Sequence, residues 1–177
     1  MRIIGGKAAG LRINPPTSLP VRPTTDIAKE ALFNILNNRI EFDEIDCLDL
    51  FAGTGNISFE LASRGAVSVD AIDQHAKCIM YIDETAKKLK LEQIKTRRAD
   101  VFKYIKSAKK SYDFIFADPP YDIGALPQLA QMILDGDLLK PGGLLVIEHP
   151  SSRKLAESPY FVEIRVYGNS SFSFYSK

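Results

Sequence analysis

The segment LDLFAGTGN, residues 48–56, decides how this chain is to be read. An apolar run with strand character ends in Gly53-x-Gly55 and passes at once into a helical pattern. Glycines at such a turn let the backbone fold back tightly and let a ligand approach the main chain closely. Downstream, short apolar runs alternate with helical stretches. CLDLF (47–51), VSVDAID (67–73), IKTRRAD (94–100), YDFIFAD (112–118) and LLVIE (144–148) read as strands. Residues 56–64, 75–89, 101–108 and 125–134 read as the helices between them. Such alternation predicts an α/β fold with a parallel sheet, helices on both faces and right-handed crossovers. FVEIRVYG (161–168) and SFSFY (171–175), joined at Gly168-Asn169, predict an antiparallel hairpin that finishes the sheet.

Upstream of the glycine loop, Arg2-Ile3-Ile4 and Leu11-Arg12-Ile13 flank GGKAAG and predict a short β-hairpin arm. Pro15, Pro16, Pro20 and Pro23 keep residues 14–23 extended. A helix is expected over about 27–37, capped by Asp26, with Ile27, Ala31 and Ile35 beside Ala28, Leu32 and Leu36 as its apolar stripe. The division expected is an arm over residues 1–24 and one domain over residues 25–177.

The 177 residues suit one sizeable core. No run of about 18 apolar residues is present, so no membrane span is expected, and the start lacks the apolar core of a signal peptide. Two cysteines, Cys47 and Cys78, exclude a disulfide framework. These features lead to the expectation of a cytoplasmic protein with free thiols and no metal site. The net charge of +1 hides an uneven distribution. Residues 1–22 hold Arg2, Lys7, Arg12 and Arg22 and no acid, and residues 87–110 hold ten Lys or Arg against Glu92 and Asp100. Residues 41–73 hold eight acids against Arg64. A basic segment can attract an anionic polymer, although Lys-rich stretches also serve as solvated helix faces.

Acids close several strands beside the glycine loop. Asp73 ends the second strand, eighteen residues beyond Gly55, a spacing that suits a carboxylate on a ribose diol. Asp100 ends the third and suits an adenine amine. A dinucleotide fingerprint would place a third glycine near Ser58 and would tolerate Asp49 poorly beside a pyrophosphate. Asp49 suits a cationic cofactor instead. S-adenosylmethionine carries an ammonium and a sulfonium, so an acid-lined pocket attracts it. The plainer alternative is that Gly53 and Gly55 only shape a turn while Asp73 and Asp100 cap helices.

FADPPY (116–121) follows the fourth strand. Consecutive prolines fix φ and remove two N–H donors, which leaves the carbonyls of Asp118 and Pro119 free to point at a ligand. A nucleobase amine is a poor nucleophile because its lone pair is delocalised. The Asp118 carboxylate and a restrained carbonyl can hold its two N–H bonds and aim the nitrogen. Tyr121 offers a face on which a flipped base can stack. The alternative is a rigid surface turn.

At these residues the chain resembles the bacterial RsmD-type family of class I, Rossmann-like, S-adenosylmethionine-dependent amino-methyltransferases. The matching pieces are RIIGGKAAGLRI (2–13), RPTTDIAKEALFNIL (22–36), LDLFAGTGN (48–56), SRGA (63–66), FADPPY (116–121) and YGNSSFSFY (167–175). The resemblance implies a seven-stranded sheet in the order 3-2-1-4-5-7-6. It implies methyl transfer to the exocyclic N2 amine of a guanine in 16S ribosomal RNA, by a monomer acting on the small ribosomal subunit or its precursor. Carried onto matching positions, it assigns Asp49, Phe51, Gly53, Thr54, Gly55, Asp73, Gln74, Asp100, Val101 and Asp118 to the cofactor. Asp118, Pro119, Pro120 and Tyr121 fall to the target base, and Arg2, Lys7, Arg12, Arg22 and Thr24 to RNA. The chain departs from the family at Lys29, where an arginine is usual, at IDETAKKL (82–89), where an asparagine is missing, and at NISFE (56–60), which is less rich in small residues.

Two other functions stay open at this level. One is the same chemistry on an adenine of DNA or RNA, because DPPY does not choose between the bases. The other is a non-catalytic RNA-binding assembly factor of the same fold. An NAD-type oxidoreductase is disfavoured by Ser58 and the acidic loop. His75 is read as a helix-start residue and His149 as a strand end.

Overall fold

A computed structural model describes residues 1–21 and 24–177. Strands β1 (Asp46–Leu50), β2 (Ser68–Asp73), β3 (Ile94–Arg98), β4 (Tyr112–Ala117), β5 (Leu139–Pro150), β6 (Phe161–Tyr167) and β7 (Ser170–Ser176) form one sheet in the order β3-β2-β1-β4-β5-β7-β6. Neighbours from β3 to β5 run parallel, and β7 is antiparallel to both β5 and β6. The expected Rossmann-like order and terminal hairpin are therefore present.

Five α-helices among the described residues cover the two faces: α1 (Asp26–Leu36), α2 (Asn56–Ser63), α3 (Ala76–Lys88), α4 (Val101–Ser107) and α5 (Leu126–Leu134). The period-two alternation of the strands sorts them. Cys47, Val69, Ala71, Phe114, Phe116, Val146, Phe172 and Phe174 pack on one side with Leu32, Leu36, Ile57, Leu61 and Ile82 of α1 to α3. Leu48, Leu50, Ile72, Ile115, Leu145 and Ile147 pack on the other with Tyr104, Leu126, Leu129 and Ile133 of α4 and α5.

Four local expectations change. Thr25, not Asp26, caps α1: its Oγ1 accepts from the Ala28 N–H at 3.2 Å, while Asp26 Oδ1 accepts from the Arg2 N–H. The stripe that α1 buries is Ala28, Leu32, Phe33 and Leu36; Ile27 is 81% exposed, because the helix is rotated to bring Lys29 inward. The arm holds one bridge, Arg2 to Arg12, rather than two regular strands. Its two limbs exchange backbone hydrogen bonds, Met1 with Ile13 in both directions and the Ile3 N–H to the Leu11 carbonyl, and its residues Ile3, Ala8 and Ile13 plug into the α1–α3 core. β5 also begins earlier than expected, at Leu139, and crosses Gly142 (φ +77°) through a register shift against β4. The described helices include none long and apolar enough to cross a membrane.

Candidate active site

The carboxyl ends of the parallel strands bring the acids together. Asp49, Asp73, Asp118 and Glu148 continue the alternation of Cys47, Ala71, Phe116 and Val146, so all four lie on the face shared with α1 to α3. β1, β4 and β5 are neighbours, with Asp49 level with Phe116 and Phe116 level with Val146. Asp118 and Glu148 then stand side by side one full strand period further out, on strands about 4.8 Å apart. Asp49, Asp73 and Glu148 are 2%, 5% and 5% exposed. No cationic side chain among the described residues pairs with any of the four.

Burial without a cation shapes the protonation of Asp49, Asp118 and Glu148. Desolvation pushes the Asp49 carboxyl up to about 7, opposed by donors from Ser58. The Ser58 N–H and Oγ both donate to Asp49 Oδ2, at 3.1 and 2.5 Å. Burial raises Asp118 well above the usual carboxylate range, and the negative charges of Glu148 and Asp49 raise it further. Glu148 is raised by burial as well, against hydrogen bonds from Ser170 and Thr24.

The glycine loop is tied to this acid group. Asp73 Oδ2 accepts from the Gly53 N–H at 2.9 Å and Oδ1 from the His75 N–H at 2.8 Å. Asp73 thereby fixes the loop, and each oxygen keeps a lone pair for a diol. Gly55 has φ +75°, and a Cβ there would lie 2.9 Å from Ile82 Cγ1. Phe51, at φ +62°, holds a left-handed conformation that costs a non-glycine residue energy and marks functional turns. Its ring meets Phe102 edge-to-face at 6.2 Å. Thr54 is buried (3%), Val101 is buried and Gln74 is exposed. Asp100 is exposed and caps α4 by accepting from the Lys103 N–H.

The DPPY loop leaves β4 with its Asp118 N–H donating to the Leu50 carbonyl. Arg153 pins its far side, donating to the carbonyls of Tyr121 and Ile123. Pro119 is buried, while Pro120 and Tyr121 (54%) are exposed at the rim.

Sequence reasoning passed over several residues of this site. Glu148 was hidden in IEHP, where His149 drew notice; an acid two residues past Val146 was the available signal. His149 is buried and held between the Pro150 carbonyl and Ser173, as a strand end would be. Lys29 is fully buried, donating to Asn56 Oδ1 (2.7 Å) and the Arg2 carbonyl (2.5 Å) and pairing with Glu60 at 3.4 Å. Asn56 in turn donates to the Thr24 carbonyl, and Thr24 Oγ1 donates to Glu148 Oε2.

The proposed RNA residues divide. Thr24 sits at the site, and Arg2 reaches it through Lys29. Arg22 lies outside the described residues. Arg2, Lys7 and Arg12 are exposed, but the Lys7 N–H bonds the Ser63 carbonyl at the far end of α2. Of the 87–110 run, Lys110 is engaged by Asp70 and Asp46.

The family model described as conserved hypothetical protein 95 matches residues 1–176. The chain is 33% identical over 160 residues to ribosomal RNA small subunit methyltransferase D of Buchnera aphidicola subsp. Baizongia pistaciae, covering 90% of this chain and 81% of that one. It is 28% identical to the protein of the same name from Escherichia coli K12, covering 90% and 79%. The solved structure of a hypothetical protein of Thermus thermophilus superposes with a TM-score of 0.86 at 29% identity, covering 100% and 99%.

Proposed function

The chain belongs to the conserved hypothetical protein 95 family, and on that basis we propose that it transfers a methyl group from S-adenosylmethionine to the N2 amine of a guanine in 16S RNA of the small ribosomal subunit. Its relatives' names support ribosomal RNA as substrate. The observation that carries the cofactor is the buried acid group without a cationic side chain among the described residues. Buried charges are normally paired, and an acid pocket that lacks its cation fits a ligand that brings one.

S-adenosylmethionine supplies, when bound, an electrophilic methyl on a positively charged sulfur. Asp49 and Asp73 face the glycine-loop half of the pocket and suit the ammonium and the ribose; Val101 and the Phe51–Phe102 pair suit the adenine. Asp118 and the Pro119 carbonyl suit the two hydrogens of the target amine, which directs the nitrogen lone pair out of the base plane. The raised affinity of Asp118 for a proton lets its ionised form take the proton that the alkylated amine sheds. Tyr121, exposed at the rim, offers its ring to a base leaving its stack. The protein acts as a monomer in this reading, with Arg2, Arg12 and Thr24 on the RNA side.

The test is transfer of labelled methyl to unmodified small ribosomal subunits, followed by digestion to nucleosides. Label in N2-methylguanosine is expected. Label in an adenosine derivative would overturn the base, and absence of label would overturn the activity.

A further inference from the structure

Glu148 is the one carboxylate of the pocket that neither the cofactor nor the amine employs. Its place is specific. It lies two residues before the end of β5, next to Asp118 just past the end of β4, on the side of Asp118 away from the glycine loop, since the sheet runs β2-β1-β4-β5. It shares the α1–α3 face with Asp118, in step with Val146 and Phe116. Two hydroxyls hold its orientation: Ser170 Oγ donates to Oε1 at 2.7 Å, and Thr24 Oγ1 donates to Oε2 at 3.3 Å. Each oxygen keeps a second lone pair. Glu148 is only 5% exposed and has no cationic partner among the described residues. A buried carboxylate oriented in this way is an acceptor waiting for a neutral donor or a cation.

On the proposed function, that donor has a definite chemistry. A guanine whose N2 hydrogens are held by Asp118 and the Pro119 carbonyl still carries a donor on the adjoining ring nitrogen, N1–H. We propose that Glu148 accepts this N1–H and thereby selects guanine over adenine. Adenine with its amine in the same place presents a bare N1 lone pair to the carboxylate, acceptor against acceptor. The DPPY loop treats the two amines alike, so the selection comes from β5. Sites built to hydrogen-bond a substrate reject analogues that leave a buried group unpaired far more strongly than they reject a change of size.

The experiment uses small-subunit RNA carrying either guanine or 2-aminopurine at the nucleotide that the labelling experiment identifies. 2-Aminopurine keeps the N2 amine and has a bare N1. The wild-type protein is expected to methylate guanine at least about 100-fold more efficiently in kcat/KM. Glu148→Gln can turn its N–H toward a bare N1, so its preference is expected to fall below about 10-fold through slower guanine and faster 2-aminopurine turnover. Thermal unfolding of the variant is expected at or above the wild-type temperature, since a buried carboxylate of raised proton affinity is replaced by a neutral amide, and its cofactor titration is expected to match wild type. An undiminished preference in Glu148→Gln would overturn the inference, and so would equal use of both bases by the wild type; neither touches the methyltransferase reading. The wild-type comparison stands alone if the variant fails to fold. Label confined to adenine in the wild type would overturn both readings together.

Discussion

Asp49 carries a tension between stability and binding that a single residue can expose. Its carboxyl is held at about 7 in the folded chain, above the 3.8 of a free aspartate, chiefly by burial. Between those values the folded state binds the proton and the unfolded state does not, so stability falls as pH rises through that window. Asp49→Asn removes this cost and can still accept from Ser58. It is expected to unfold at higher temperature than wild type at pH 8, to differ little at pH 4, and to bind S-adenosylmethionine more weakly. Thermal melts at the two pH values and a calorimetric titration check the pair; equal melting at pH 8 would refute the assignment. For wild type, cofactor affinity is expected to rise from pH 6 to pH 8 as the carboxylate ionises, with proton release on binding. Asp118→Ala is expected to lower turnover by roughly 10²–10⁴. Single-turnover kinetics with wild-type rates would remove Asp118 from the chemistry. Asp118 was legible in the sequence because prolines fix the backbone locally, whereas the protonation of Asp49 depends on what surrounds it.

At the scale of elements, the glycine loop is held from two sides. Asp73 binds the Gly53 N–H from β2, and Asn56 joins the first turn of α2 to Thr24 and Lys29. Lys29 is the more telling residue because both it and Glu60 are fully buried. Burial lowers its affinity for a proton, and the Glu60 carboxylate works against that. Glu60 also accepts from the Ile4 and Gly5 N–H groups and from Arg64 Nε. Lys29→Met should destabilise the chain toward the lower end of the roughly 3–5 kcal/mol typical of a broken buried pair, since Arg64 still neutralises Glu60. Urea unfolding measures this, and an unchanged midpoint would show that the network contributes nothing. Gly55→Ala places a Cβ against Ile82 and Phe59 at a left-handed φ. It is expected to cost about 1–3 kcal/mol and to weaken cofactor binding more than Asp100→Ala does, since Asp100 is exposed and already caps α4. The helices and strands themselves were readable from periodicity, and the glycine turn from composition. The rotation of α1 was not, because the broad stripe from Ile27 to Leu36 does not show which of its edges turns inward, and the buried pairing of Lys29 with Glu60 settles that.

Across the whole molecule, charge and topology decide how RNA is met. Arg2 and Arg12 lie by the root of α1, near the pocket, and Lys7 lies at the opposite end of α2. Binding to small-subunit RNA should weaken steeply with salt, and Arg12→Ala should reduce the slope of log K against log salt by about 0.7–0.9. Lys7→Ala is expected to leave that slope unchanged. Filter-binding series over salt would separate the two, and equal loss in both variants would mean that RNA wraps the arm entirely.

The α/β alternation, the glycine turn, the DPPY loop and the terminal hairpin were all legible in the order of residues alone. Each is written in residues a few positions apart, through proline and glycine backbone limits and the periods of helix and strand. Folding was needed to bring Glu148 beside Asp118, Thr24 to Glu148 across 124 positions of chain, and Lys29 against Glu60. Those pairings follow from strand order and from which face each residue shows, and burial then sets the charge each group carries. Such properties belong to the assembled sheet, where residues far apart in the chain share one low-dielectric space.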